Sequence, residues 1–379
     1  MSDARIAGCG ESPYARHPPP ATTTLHLLAD AATRALTNAG LDATHIDGLA
    51  VASFSLKPDH AIDLAWRLGL HLRWLMEDTN GGASGLNMLQ HARRAVQAGD
   101  ARAILVLAGD HLPRDRFRRL VNEYNSATAN HLAPLPFGGP NALFAMLTQR
   151  HARQYDLTRA DYGALVIAQR RWAAHNPGAA YRQPLTLDEY LAAPLVADPL
   201  CIYDCVPVVS GADAIVVTAP DLTTRSTDVH TRALELSFNF DDQQGDGLAT
   251  GLRQIAQKLW RGANAEPQDI DVTMVYDDYP VMALIQLEDL GYVEADVKRL
   301  VHDQIATGRT PVNTSGGQLS AGQAGAAGGL HGLVEAVRQL RGEAGDRQVP
   351  NARLALVAGY GMVCYRYGAA AGAAVLERR

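Results

Sequence analysis

Residues 39–51 read AGLDATHIDGLAV, and residues 263–275 read ANAEPQDIDVTMV. Each ends a helical pattern, crosses a short polar turn, places Ile-Asp and begins a strand. A second echo follows in the same order, ARAILVLAG at 101–109 and ARLALVAG at 352–359. Each copy is reached from a helix that opens at a glycine-rich turn, 81–85 or 322–329, and ends near Gly99 or Gly342. Two echoes in one order indicate an internal duplication.

The runs 103–108 and, after its opening Arg353, 353–358 are continuous rather than alternating, as suits strands buried on both faces. Further strands read at 5–7, 214–218 and 271–276, and amphipathic helices at 25–39, 85–98, 248–261 and 329–341. This alternation gives an α/β fold with mixed or parallel sheets. The stretch from about 108 to about 214 is too long for a plain loop. With helical patches at 142–155 and 159–176, it reads as a mostly helical insertion over about 112–205. The polar stretch 219–229 separates the halves, which are placed at 1–222 and 223–379.

At ~150 residues per domain, 379 residues make two to three domains. A chain that is 47% hydrophobic and 20% charged has a sizeable core and is not disordered as a whole. Lys plus Arg is 34 against 40 Asp plus Glu, a net charge of −6. Without a long basic run, non-specific nucleic-acid binding is disfavoured. Only Lys57, Lys258 and Lys298 are lysines, so arginine must meet any phosphate. Four cysteines make no disulfide scaffold. Cys201 and Cys205 have no second Cys/His pair at ligand spacing, so no metal is expected. No signal peptide and no apolar run near ~18 residues is visible, so a cytoplasmic protein off the membrane is expected.

Four stretches hold candidate chemistry. The turn Asn80–Gly85 opens a helix, where exposed backbone N–H groups favour negative charge, although tight packing also explains such a turn. Gly322–Gly329 repeats the pattern, and a duplication would bring the two turns to a common centre. Asn313–Ser320 is dense in small polar residues, as ligand loops are. Tyr276-Asp277-Asp278-Tyr279 puts two carboxylates and two phenols at a strand's end, for function or for capping a helix at Pro280. Gly359–Gly368 adds Tyr360, Cys364, Tyr365, Arg366 and Tyr367; an arginine beside a phenol lowers its pKa.

Together these stretches resemble the thiolase superfamily, especially its sterol-carrier-protein-type branch. The likeness runs from Ile6–Pro13 through Ala39-Gly40-Leu41, Asn176-Pro177 and Ser210–Ala214 to Asn313–Gly328 and the terminal glycine loop. It implies a five-layer α-β-α-β-α fold of two βαβα halves, a homodimer and an acyl-CoA substrate. The departures fall on the family's chemistry. The nucleophilic Cys position holds Gly82. The activating His of Gly-His-Pro falls at Gln323, the second Cys near Val357, and the His of His-Asp-x-Phe at Tyr276, with Asp277 kept and Tyr279 at the aromatic position.

A Claisen thiolase needs a thiolate to carry the acyl group, and neither Gly82 nor Gln323 supplies one or a base for it. Retro-aldol cleavage of a β-hydroxyacyl-CoA needs only a base for the hydroxyl and donors for the enolate oxygen. Tyr365 and Tyr276 are the expected bases, and Asp277 is the third residue expected to be catalytic. Gly82, Gly361 and Gln323 are the expected donors, and Cys364 and Tyr279 are expected to line the pocket. The resemblance implies an acyl-CoA aldolase, acting on steroid or other side chains with a small zinc-ribbon/OB-fold partner. No cofactor is expected beyond the CoA of the substrate. An acyltransferase using Cys364, or a non-catalytic acyl-CoA-binding subunit, are the alternatives.

Overall fold

The computed structural model describes residues 4–56, 60–136, 139–222, 227–240, 244–293, 296–364 and 367–379. Strands β1 (Arg5–Glu11), β2 (Gly48–Ala52), β3 (Trp74–Asp78), β4 (Ala103–Asp110) and, after the insertion's short pair β5 (Leu195–Ala197) and β6 (Leu200–Cys201), β7 (Gly211–Thr218) belong to the first half. The second half holds β8 (Val229–Phe238), β9 (Val272–Met274), β10 (Leu354–Cys364) and β11 (Tyr367–Arg378). The sheet order is β3-β2-β4-β7-β1-β8-β11-β10-β9. The halves meet where β1 and β8 pair over two residues, Arg5 with His230 and Ile6 with Val229.

Reading outward from that seam, β1-β7-β4-β2 and β8-β11-β10-β9 have the same order, and β2–β4 and β9–β10 are both parallel. The helices Ser84–Ala98 and Gly328–Arg341 precede β4 and β10 and end alike at Gly99 and Gly342, each in the left-handed conformation that glycine adopts without a Cβ clash. The duplicated fold is therefore present in three dimensions. These two helices fill the middle layer. Leu86, Leu89, Leu330 and Leu333 pack with Ile104 and Val106 of one half-sheet and Val272 and Val357 of the other. The outer faces are covered by Thr24–Ala39 and His60–Arg67 on one side, and by Leu252–Ala263 and Pro280–Asp289 on the other. That makes five layers, with one half of the sheet on each side of the middle helices.

The insertion leaves at the end of β4. In the second half the equivalent strands β10 and β11 form a hairpin separated only by residues 365 and 366. In the first half, residues 111–210 stand between β4 and β7. They form helices Arg114–Asn122, Pro140–Tyr155, Arg159–Ala174 and Leu187–Ala192.

One strand is shorter than its sequence suggests. The apolar run 271–276 predicts a strand throughout, yet β9 stops at Met274. Side chains take the backbone groups that a ladder would use. Asn313 Oδ1 accepts from Val275 N at 2.9 Å, Gln286 Oε1 accepts from Tyr276 N at 3.3 Å, and Gln286 Nε2 donates to Tyr276 O at 2.6 Å. The chain is thus released from the sheet where residues 276–279 begin.

Candidate active site

The two glycine-rich turns meet backbone to backbone. A Cβ on Gly85 would lie 2.0 Å from Gly329 O, and one on Gly329 would lie 2.7 Å from Gly81 O. The end of β10 closes on the same point, since a Cβ on Gly361 would lie 1.9 Å from Asn80 O. Glycine is required here because the backbones are in contact. Gly361 is therefore part of the packing around Gly82, and both border a cavity of about 570 Å³.

The cavity has a polar floor and apolar walls. Gly82, Tyr276, Asp278, Gln323 and Tyr360 line the floor. Phe54, Phe117, Val121 and Phe144 line the walls, and Arg114 and Arg118 border it from the helix Arg114–Asn122. Gln323 Nε2 donates to the Tyr276 hydroxyl at 2.8 Å, and the Tyr276 ring meets Tyr360 edge-on at 5.3 Å. The Tyr360 hydroxyl donates to Asp278 Oδ1. Burial, then the Asp278 charge, holds both phenols well above the usual tyrosine range. Neutral phenols donate hydrogen bonds well and accept protons poorly. Burial, offset partly by the Tyr360 bond, pushes Asp278 up to about 7, where a carboxylate can both take and return a proton at neutral pH.

The two neighbouring carboxylates face different ways. Asp277 Oδ1 accepts from Gln318 N at 2.8 Å and Oδ2 from Leu319 N at 3.3 Å, so it caps the short helix Gly317–Ala321. It is not among the residues lining the large cavity, and its carboxyl is pushed up to about 7, chiefly by burial. The cap expected at Pro280 is not made by a side chain: Tyr279 occupies that N-cap position. Tyr279 lines the cavity, donates to Asn141 Oδ1 at 2.7 Å and stacks on Phe144 at 4.3 Å, which ties the floor to the insertion.

Of the expected bases, Tyr276 is in the cavity and Tyr365 lies outside the described residues, with Arg366 and the side chain of Cys364. Asp278 and Tyr360 stand inside motifs legible in the sequence, but their direction was not. Cys205, a thiol of the cavity wall, is pushed up to about 12 by burial, then by the Asp204 charge, and is no thiolate nucleophile.

Asp110, at the end of β4, holds the Gln323 turn in place. Its Oδ1 accepts from the backbone of Phe54 and Ser55 and the hydroxyls of Ser53 and Ser55, and its Oδ2 accepts from Ala326 N at 2.8 Å. Glu11, Asp213 and His331 bring potential metal-ligand atoms within 4.8 Å of one another at the seam between halves. Tyr14 donates to Asp213 at 2.8 Å, and Arg338 lies 3.4 Å from Glu11. Burial opposes charge on His331, but Asp213 and Glu11 outweigh it and raise its pKa. Burial raises the Asp213 carboxyl in turn, and a histidine and an arginine facing two carboxyls fit an internal polar network better than a cation site.

A duplicated five-layer fold with glycine at the nucleophile position defines a member of the thiolase superfamily that lacks the thiolase nucleophile. Residues 239–378 match the model of the thiolase C-terminal domain-like family. The chain is 31% identical over 360 residues to a 17-hydroxy-3-oxo-4-pregnene-20-carboxyl-CoA lyase of Mycobacterium tuberculosis, covering 89% of this chain and 92% of the relative. It is 28% identical over 388 residues to a steroid side-chain-cleaving aldolase of Thermomonospora curvata, covering 95% of each. The solved Ltp2-ChsH2(DUF35) aldolase superposes with a TM-score of 0.83 at 25% identity, over 99% of this chain and 98% of that one. The chain belongs to the thiolase-like acyl-CoA aldolases, which break a carbon–carbon bond by retro-aldol cleavage.

Proposed function

We propose that this chain cleaves a bulky β-hydroxyacyl-CoA with Asp278 as the base and no covalent acyl-enzyme. The carrying observation is the cavity floor: glycine at the nucleophile position, two neutral phenols, and one carboxylate held near neutrality. Asp278 takes the β-hydroxyl proton, directly or through Tyr360. The Cα–Cβ bond breaks, the β-carbon becomes a ketone or aldehyde, and the electron pair passes into the thioester enolate. Tyr276, oriented by Gln323, donates to the enolate oxygen together with backbone N–H groups near Gly82 and Gly361. The proton on Asp278 then returns to the α-carbon, giving a shortened acyl-CoA. Asp277 holds the Gln318 loop and acts as a positioning residue.

The apolar walls suit a polycyclic acyl group, and the named relatives support a steroid side chain. Arg114 and Arg118 are placed to meet the anionic end of CoA. The reading calls on no resident cofactor. A homodimer is supported by β3, which among the described residues pairs only with β2, and by the exposed Leu75, Ile62 and Trp66 beside that edge. The name of the solved relative, which joins two components, supports a second component, and the family resemblance supports its being of zinc-ribbon/OB-fold type. A cytoplasmic location and the division at 222/223 belong to the same proposal. Among the described residues no helix is long and apolar enough to cross a membrane.

The test is a panel of β-hydroxyacyl-CoA thioesters, with and without the co-purified partner, assayed by mass spectrometry for acyl-CoA plus ketone or aldehyde. An acyl adduct on the chain during steady state, or no cleavage with the partner present, overturns the reading.

A further inference from the structure

The insertion brings a third phenol to the floor. Tyr124 follows the helix Arg114–Asn122 and lines the cavity. Its hydroxyl lies 2.4 Å from where a Cβ on Gly81 would stand, while the ring of Tyr276 crowds the same point on Gly82. Two phenols from different parts of the chain thus approach adjoining residues of one turn.

Three observations show that this approach is built in. Gly81 has φ +58°, so a side chain there would be strained as well as blocked. Met362, at φ +56°, is passed over in the pairing of β10 with β11, and its N–H donates to the Tyr124 hydroxyl at 3.3 Å. The next residue, Asn125, donates from Nδ2 to Val363 O at 2.7 Å, fastening the segment to β10. Phe54 supports the Tyr124 ring edge-on at 5.8 Å. A phenol that accepts from a backbone N–H still carries its own proton to donate.

We propose that Tyr124 is a further catalytic residue, donating a hydrogen bond to the thioester oxygen as it becomes the enolate oxygen. This rests on the lyase reading above. No bond to Tyr124 forms or breaks, and its proton stays on the phenol. The insertion then supplies chemistry as well as cavity wall, and an active floor requires the 124–125 segment to be seated on β10.

Tyr124→Phe keeps the ring against Phe54 and removes only the hydroxyl. The full chain, with any co-purified partner, is assayed on a β-hydroxyacyl-CoA that the wild type cleaves. Exchange of the α-hydrogens of the product acyl-CoA in D2O is followed by mass, because exchange needs the enolate but no β-hydroxyl. Removing one such donor costs ~10²–10³-fold in kcat. The expected result is a kcat fall of that size, an equal slowing of exchange, and unchanged KM and Tm. A kcat within ~3-fold of wild type, a fall matched by a lower Tm or a raised KM, or cleavage lost with exchange intact would each overturn the proposal. If the wild type exchanges but cleaves nothing on the panel, the lyase reading fails, and exchange alone decides Tyr124.

Discussion

The ring of Tyr276 stands where a side chain on Gly82 would have to go. A Cβ on Gly82 would lie 2.5 Å from Tyr276 Cε2 and 2.2 Å from the carbonyl oxygen of Tyr360. A side chain at position 82 and the Tyr276 ring therefore exclude each other in this packing. Restoring sulfur with Gly82→Cys is expected to lower stability by ~3 kcal/mol through overpacking. Intact-mass measurement in the presence of acyl-CoA is expected to show no adduct. Adding Tyr276→His relieves only the ring contact, so Tm stays low.

Asp278 sets the pH dependence. As a base it must be ionised, so kcat/KM is expected to rise with pH along a limb near 7. Asp278→Asn removes the activity, whereas Asp277→Asn keeps the limb, although both carboxyls are pushed to about 7. Stability carries the opposite sign. A carboxyl raised above its ordinary ~4 stabilises the fold below that pH, and the contribution is lost as pH rises through 7. The Tm of Asp278→Asn relative to wild type should accordingly be higher at pH 8 than at pH 5.

Tyr276 and Gln323 are hydrogen-bonded, and under the proposed function they act as one donor unit. Tyr276→Phe is expected to lower kcat by ~10²-fold or more with little change in KM. Gln323→Ala frees the Tyr276 hydroxyl from its 2.8 Å partner and should cost less, ~10-fold. The double variant should lose little more than Tyr276→Phe alone, which steady-state kinetics on all three variants will read.

Arg114 and Arg118 border the cavity, and under the proposed function they meet the anionic end of CoA. Replacing both with Ala is expected to raise KM for a CoA thioester ~10-fold while leaving the matching pantetheine thioester unaffected. Added salt should weaken the wild type toward the variant.

Asp110 is not itself one of the residues lining the cavity, but it holds Ser53–Ser55 and Ala326 around it. Asp110→Ala strands several buried donors and is expected to cost ~3 kcal/mol, seen as a lower denaturation midpoint. Activity should fall with it, because Gln323 sits on the same turn.

Fold and site were legible in the sequence to different degrees. The echoes at 39–51 and 263–275, and at 101–109 and 352–359, appear as matching strands because local hydrophobic runs largely determine which segments form strands. The motif Tyr276–Tyr279 was equally visible, yet the alternation of a strand could not tell Asp277 from Asp278. The ladder had already ended at Met274, where Asn313 and Gln286 captured the backbone. Tyr360 was undecided for the same reason, and Tyr124, in the insertion, lay in no motif that marked it; what both face is set by distant residues.

The sequence by itself determined the duplicated α/β architecture, the place of the insertion and the absence of sulfur and imidazole at Gly82 and Gln323, since these depend on residue type and local pattern. Only the tertiary structure decided which acids and phenols share the cavity. Their directions follow from contacts between segments up to about 240 residues apart, such as Tyr124 with Met362, and no local pattern encodes them.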